Sequence, residues 1–135
     1  MSASASIEQF LSRDSFAVVG ASRDRGKYGN MVLRTFLQNG RTVFPVNPHA
    51  DQVEGLPSYP NLAALPRQVD AISIITPPHI TEHVIEQAAD LGIHNVWMQP
   101  GAESAAAIQK AEDAGMNVIA GGPCLLVVLG FRDSW

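Results

Sequence analysis

Short apolar runs alternate along this chain with longer stretches in which apolar residues recur every three or four positions. The first spacing marks strands and the second marks helices. Residues 7–11 read as a short leading helix. Phe16-Ala17-Val18-Val19-Gly20 is an apolar run ending in glycine, a buried strand. After a polar loop over residues 22–30, Met31, Leu33, Phe36 and Leu37 fall near helical spacing, with Gly40 as the stop. Residues 42–47 form a second strand, with Pro45 an awkward residue for a central position. Residues 48–68 carry Pro48, Gly55, Pro57, Pro60 and Pro66, and read as loop with one short helix at 61–65. Residues 70–76 form the third strand, which Pro77-Pro78 ends. Ile80, Val84, Ile85, Ala88 and Leu91 share one face of the next helix, closed by Gly92; Pro is well tolerated at its start. Residues 94–98 are a fourth strand, 103–114 an Ala-rich helix stopped by Gly115, and 117–120 a fifth strand. No repeat, linker or low-complexity stretch interrupts the pattern.

Strands of about four to seven residues separated by helices imply βαβ units and a parallel sheet. Right-handed crossovers place helices on both faces. The expectation is an α/β, Rossmann-like, doubly wound sheet of five parallel strands in the order 3-2-1-4-5. In such sheets the ligand crevice opens beyond the C-terminal strand ends, where the winding reverses. That order puts the reversal between strands 1 and 4. The crevice is then built from the loop after Gly20, the turn Asn47-Pro48, the turn Thr76-Pro77-Pro78 and residues 98–101.

Length and composition narrow the class. The 135 residues fit one domain spanning 1–135. With 46% hydrophobic and 16% charged residues, the chain can bury a core. No apolar run approaches the roughly 20 residues of a membrane span; the longest candidate is 124–131. The N-terminus lacks the basic and apolar regions of a secretory signal. A single cysteine, Cys124, excludes an intrachain disulfide and a Cys-based zinc site. Together these lead us to expect a cytoplasmic protein. A net charge of −4 and a pI near 5.4 argue against nucleic acid or an anionic membrane as partner.

Against that acidic background, residues 20–30 stand out: Gly20-Ala21-Ser22-Arg23-Asp24-Arg25-Gly26-Lys27-Tyr28-Gly29-Asn30. Three of the nine basic residues, Arg23, Arg25 and Lys27, fall here. The three glycines allow close backbone approach, and the loop runs into a helix start that favours anions. A phosphate-bearing ligand is the expectation; a solvated charged loop is the bland alternative. The dinucleotide fingerprint G-x-G-x-x-G fails at Ser22. The second-strand end offers neutral Asn47-Pro48 where an NAD site prefers an acid. A Walker loop fails because Tyr28 replaces the Ser or Thr that holds magnesium.

Gly20-Ala21-Ser22, Val46-Asn47-Pro48, Asp70 at the opening of the third strand, Val96-Trp97-Met98-Gln99-Pro100-Gly101 and a late cysteine, in this order, resemble the small single-domain CoA-binding protein family. That family is related to the N-terminal CoA-binding domain of the succinyl-CoA synthetase alpha subunit. The resemblance covers about residues 7 to 125. It implies coenzyme A, or an acyl-CoA, lying across the strand ends. The phosphates would sit on residues 20–30, with Gly20, Ala21, Ser22, Arg23, Arg25, Lys27 and Tyr28 contributing. Asn47, Pro48 and His49 would add contacts from the second turn. Thr76, Pro77 and Pro78 would flank the adenine or pantetheine, and Gln99, Pro100 and Gly101 would meet the pantetheine arm. The synthetase domain has a lysine shortly after the second-turn Pro; Ala50 stands near that place here. Its phospho-histidine and nucleotide domains have no counterpart in this sequence, so the implied role is binding without catalysis. Where family members often continue from the late Cys into a polar stretch, this chain has Cys124-Leu125-Leu126-Val127-Val128-Leu129. The alternative, from a different class, is an NAD(P)-binding oxidoreductase-like domain; NADP shares the extra phosphate and stays open.

Four further features carry weaker signals. His79-Ile80-Thr81-Glu82-His83 matches the H-x-x-E-H pattern of some zinc proteases. It also fits a solvated helix start with Glu82 near the positive end of the dipole, and no third ligand is placed. Cys124 reads first as a small buried thiol, and second as a thiol able to pair with the CoA sulfur. Trp97 reads as core and Trp135 as tail. The run after Cys124 is too apolar to lie in water, so it should pack on the domain or in a homodimer.

Overall fold

The computed structural model describes residues 3–133. Trp135 and the first two residues lie outside that range. The elements in order are α1 (Ala3–Leu11), β1 (Ser15–Val19), α2 (Tyr28–Gln38), β2 (Thr42–Val46), β3 (Gln52–Val53), β4 (Leu56–Pro57), β5 (Ala71–Ile74), α3 (Pro78–Asp90), β6 (Asn95–Met98), α4 (Ala105–Asp113) and β7 (Asn117–Ile119). A 3-10 turn at Leu62–Ala64 falls inside the stretch expected to be helical. The small hairpin of β3 and β4 occupies part of the stretch expected to be loop. Pro78 sits in the first turn of α3, where its missing N–H breaks no helical bond.

Five strands form one parallel sheet in the order β2-β1-β5-β6-β7. The α/β, doubly wound architecture is the expected one, but the strand order 3-2-1-4-5 is not. The third main strand, β5, pairs with β1 and not with β2. Pro45 supplies the physical reason. It cannot donate to a ladder, so the strand that carries it belongs at an edge. β2 is that edge strand, with Pro45 opposite Val18 on its inner side. On its outer side, among the described residues, β2 meets a single bridge to Tyr59, whose N–H donates to the Pro45 carbonyl at 3.1 Å. The winding therefore reverses between β1 and β5.

Side-chain alternation along the strands fills two cores. Phe16 and Val18 face α1, α2 and the C-terminal turn, among Phe10, Leu33, Phe36, Trp97 and Leu125. Ala17 and Val19 face α3 and α4, among Ile72, Ile74, Ile85, Ala88, Val96 and Ala107. Trp97 is fully buried, edge-on to Phe10, with its indole N–H donating to the Pro123 carbonyl at 3.0 Å. Asp70 works at the opposite end of the sheet from the crevice. Its carboxylate pairs with Arg13 at 3.3 Å, and its backbone carbonyl accepts from Asn95. After β7 the chain closes in a π-helical turn, Leu126–Gly130, laid against α2. Leu125 is fully buried there, while Val127 and Val128 remain exposed. The expectation of a buried tail therefore holds only in part: Leu125 is buried, Leu126, Leu129 and Phe131 are half-buried, and the rest of the run is exposed. No helix among the described residues is long and apolar enough to cross a membrane.

Candidate functional site

Gly20 ends β1 with φ +97°, and its backbone lies against Ile75 and Thr76 at the end of β5. A side chain here would meet both the unfavourable φ and the neighbouring backbone. Gly29, in the first turn of α2, is tighter still. A Cβ there would stand 2.0 Å from the Gly20 carbonyl oxygen. The two glycines let α2 start directly above the end of β1. Lys27 caps α2 without a side-chain hydrogen bond, which leaves the helix start open to water or an anion. The loop is braced internally. Ser22 Oγ accepts from Asp24 N at 3.1 Å, and Asp24 Oδ1 accepts from Gly26 N at 2.9 Å.

Asn47 joins this loop to the next. Its Nδ2 donates to the Ala21 carbonyl at 2.8 Å, and its Oδ1 accepts from His49 N at 2.8 Å. The third turn is held by Thr81, whose hydroxyl lies 2.8 Å from that of Thr76. The three turns surround a cleft of about 690 Å³ at the C-terminal ends of β1, β2 and β5. Of the residues expected from sequence, Gly20, Ala21, Ser22, Lys27, Asn47, Pro48, His49, Thr76 and Pro77 line it. The far wall was missed: Pro60, Asn61 and Leu62 beside the 3-10 turn, and Ile80, His83, Val84 and Gln87 on the first turns of α3. A sequence signal existed, since a helix that begins directly after a strand end must present its first turns to the crevice. Pro60, Leu62, Ile80 and Val84 give this wall an apolar surface beside the polar Asn61, His83 and Gln87.

Arg23, Arg25, Tyr28, Pro78, Gln99, Pro100 and Gly101 are not in the cleft wall. Arg23 and Arg25 are exposed on the loop, and Arg25 faces Glu54 at 3.6 Å. Gln99 is fully buried and serves as a polar tie beneath the strand ends. Its Nε2 donates to Ser73 Oγ at 2.9 Å, and its Oε1 accepts from Leu125 N at 3.0 Å and from the Tyr28 hydroxyl at 3.1 Å. The Tyr28 hydroxyl also lies 2.6 Å from Cys124 Sγ, and either group can donate in that contact. Burial pushes the Tyr28 phenol well above its ordinary range, and the hydrogen bond and charge interaction with Cys124 push the same way. Cys124 is half-buried behind Tyr28 and is not among the residues that line the cleft. His79 and His83 do not form a metal centre: no group of three or more potential ligands gathers among the described residues. His83 instead lies 3.8 Å from Glu86, whose carboxylate also pairs with Lys110 of α4 at 3.1 Å.

A family model described as a CoA binding domain matches residues 14–130. Over 81 residues the chain is 40% identical to an ADP-forming acetate–CoA ligase (II) of Archaeoglobus fulgidus, an overlap of 58% of this chain and 12% of the ligase. Over 116 residues it is 26% identical to an uncharacterized protein of Bacillus subtilis, covering 85% of this chain and 86% of that one. Its fold matches a solved conserved hypothetical protein from Pyrococcus furiosus with a TM-score of 0.79 at 39% identity, over 84% of this chain and 97% of the other.

Proposed function

The chain belongs to the CoA-binding domain family, and from that premise we propose that it binds coenzyme A or an acyl-CoA in the cleft beyond β1, β2 and β5. One observation carries the reading: the cleft has two unlike walls. On one side are the Gly20-Ala21-Ser22 backbone, the start of α2 and Lys27; on the other, Pro60, Leu62, Ile80 and Val84 form an apolar surface beside Asn61, His83 and Gln87. CoA is divided the same way, into a phosphate-rich part and a long, weakly polar arm. A volume of about 690 Å³ suits a ligand of that size. The role proposed for these residues is binding without chemistry of their own, in the cytoplasm. Ligase activity is named for relatives of which this chain spans only about 10–20%.

The NAD(P) reading has no specific support in the cleft. Asn47 stands where an acid would receive the ribose hydroxyls, and its amide is engaged by Ala21 and His49. The exposed Val127 and Val128 are the apolar side chains that support a homodimer contact. Thermal melting with CoA, NAD, NADP and ATP at equal concentration tests the ligand. A ligand bound only by the folded state raises the melting temperature by mass action. CoA is expected to give the largest rise; equal rises with NAD or ATP would overturn the proposal.

A further inference from the structure

Arg25 lies on the ligand loop between two cleft residues, Ser22 and Lys27, yet its guanidinium faces a carboxylate outside the cleft. Its Nε is 3.6 Å from Glu54 Oε2. Glu54 reaches this place from the turn of the β3–β4 hairpin, and among the described residues it is the one non-glycine with positive φ, +51°. L residues rarely adopt that conformation. The buried Val53 beside it anchors the hairpin in the core. The same Glu54 oxygen accepts from Asn30 Nδ2 at 3.0 Å, and that amide also donates to the Ser22 carbonyl at 2.9 Å. Asn30 is in turn fixed by the buried Arg34, whose Nε donates to its Oδ1 at 2.6 Å. A carboxylate therefore stands one amide away from the backbone that would receive phosphate, in a place that opposes an anion.

We propose that Glu54 is a resident counter-ion of Arg25, and that a phosphate of the bound ligand displaces it. The inference rests on the cleft being the phosphate site. Glu54 keeps its Asn30 bond when Arg25 turns away, so the exchange leaves the hairpin seated. The Arg25 side chain is 54% exposed and can swing. A phosphate group with more than one charge is a stronger guanidinium partner than a single carboxylate. The device raises the threshold for binding: a weakly charged ligand leaves Arg25 on Glu54, and a multiply phosphorylated one captures it.

Calorimetric titration of the full chain with CoA tests this, using wild type, Glu54→Gln, Arg25→Ala and the double variant, with inorganic pyrophosphate as a second probe. Glu54→Gln keeps an oxygen for Asn30 and removes the charge. It should tighten CoA about two- to fivefold, the upper part of the range that an exposed charge pair supports. Arg25→Ala should weaken binding, and in its background Glu54→Gln should give no further gain. A melting curve for each variant separates misfolding from altered binding, and Arg25→Ala alone decides if Glu54→Gln does not fold. Unchanged affinity in Arg25→Ala, or a Glu54→Gln gain that persists without Arg25, would overturn the exchange. If wild type binds pyrophosphate but not CoA, the CoA reading falls and the same four proteins test the exchange with pyrophosphate. If wild type binds neither, both readings fall.

Discussion

At the scale of single residues, polar side chains beneath the cleft hold it in shape, and Tyr28 gives that role a pH signature. Its phenol is held protonated by burial first, then by Cys124. In the unfolded chain the same phenol ionises near pH 10. The folded state therefore binds more protons above that pH, so stability falls as pH rises. The contribution is complete below pH 10 and is lost above it. Tyr28→Phe removes the titrating group together with its bonds to Gln99 and Cys124. The variant should be about 0.5–1.5 kcal/mol less stable at pH 7, and its melting temperature should decline less steeply than wild type between pH 9.5 and 11.5. Parallel declines would mean that the phenol is not held protonated by the fold. Sequence alone placed Tyr28 and Gln99 against the ligand, because loop position indicates which sheet end a residue occupies but not which way its side chain turns. Gln99 is drawn inward by three bonds that come from Ser73, Leu125 and Tyr28, all distant in sequence.

At the scale of elements, the short apolar runs and the helical spacing made every strand of the main sheet and every long helix legible. Pairing order was harder to read, because periodicity records which face a residue takes and not its neighbour. The one local clue is Pro45, awkward in a central strand, and it is the residue that puts β2 at the edge. The β3–β4 hairpin escaped notice because two-residue strands have no period to detect. Its turn, Glu54-Gly55, was the available signal, with glycine at the second central position. The C-terminal turn shows the opposite case, in which apolarity alone indicated burial and the structure divides it residue by residue. Leu125 is fully buried against α2 and the sheet, whereas Val127 is 80% exposed. Leu125→Ala should therefore lower stability by about 2–5 kcal/mol, as for other core leucines. Val127→Ser should stay within about 0.5 kcal/mol in the monomer. Denaturant unfolding at low protein concentration checks both. A loss at Val127 that appears only at high concentration would point to a contact with a second copy.

At the scale of the whole molecule, a protein of net charge −4 is proposed to hold a polyanion, so local charge must outweigh the total. The geometry makes this feasible. At physiological ionic strength, charges more than about 8 Å apart are largely screened. The acids on the remote faces then count for little beside the start of α2 and the cation that lines the cleft. That cation is Lys27; Arg23 is exposed on the loop but outside the wall. Sequence composition gave the two equal standing, since both sit in the same basic run. The structure separates them, because α2 begins at Tyr28 and carries its cap residue, Lys27, over the end of β1. A charge-assisted bond to phosphate contributes about 1.5–3 kcal/mol, so Lys27→Ala should weaken CoA about tenfold or more. Arg23→Ala should weaken it by less than about threefold, in the range of an exposed, screened charge. Neither change should move the melting temperature of the ligand-free protein appreciably. Titration at low and high salt checks the assignment: the Lys27→Ala variant should show a shallower salt dependence than wild type, and Arg23→Ala nearly the same one. Equal losses in both variants would place the phosphate out on the loop and not at the helix start.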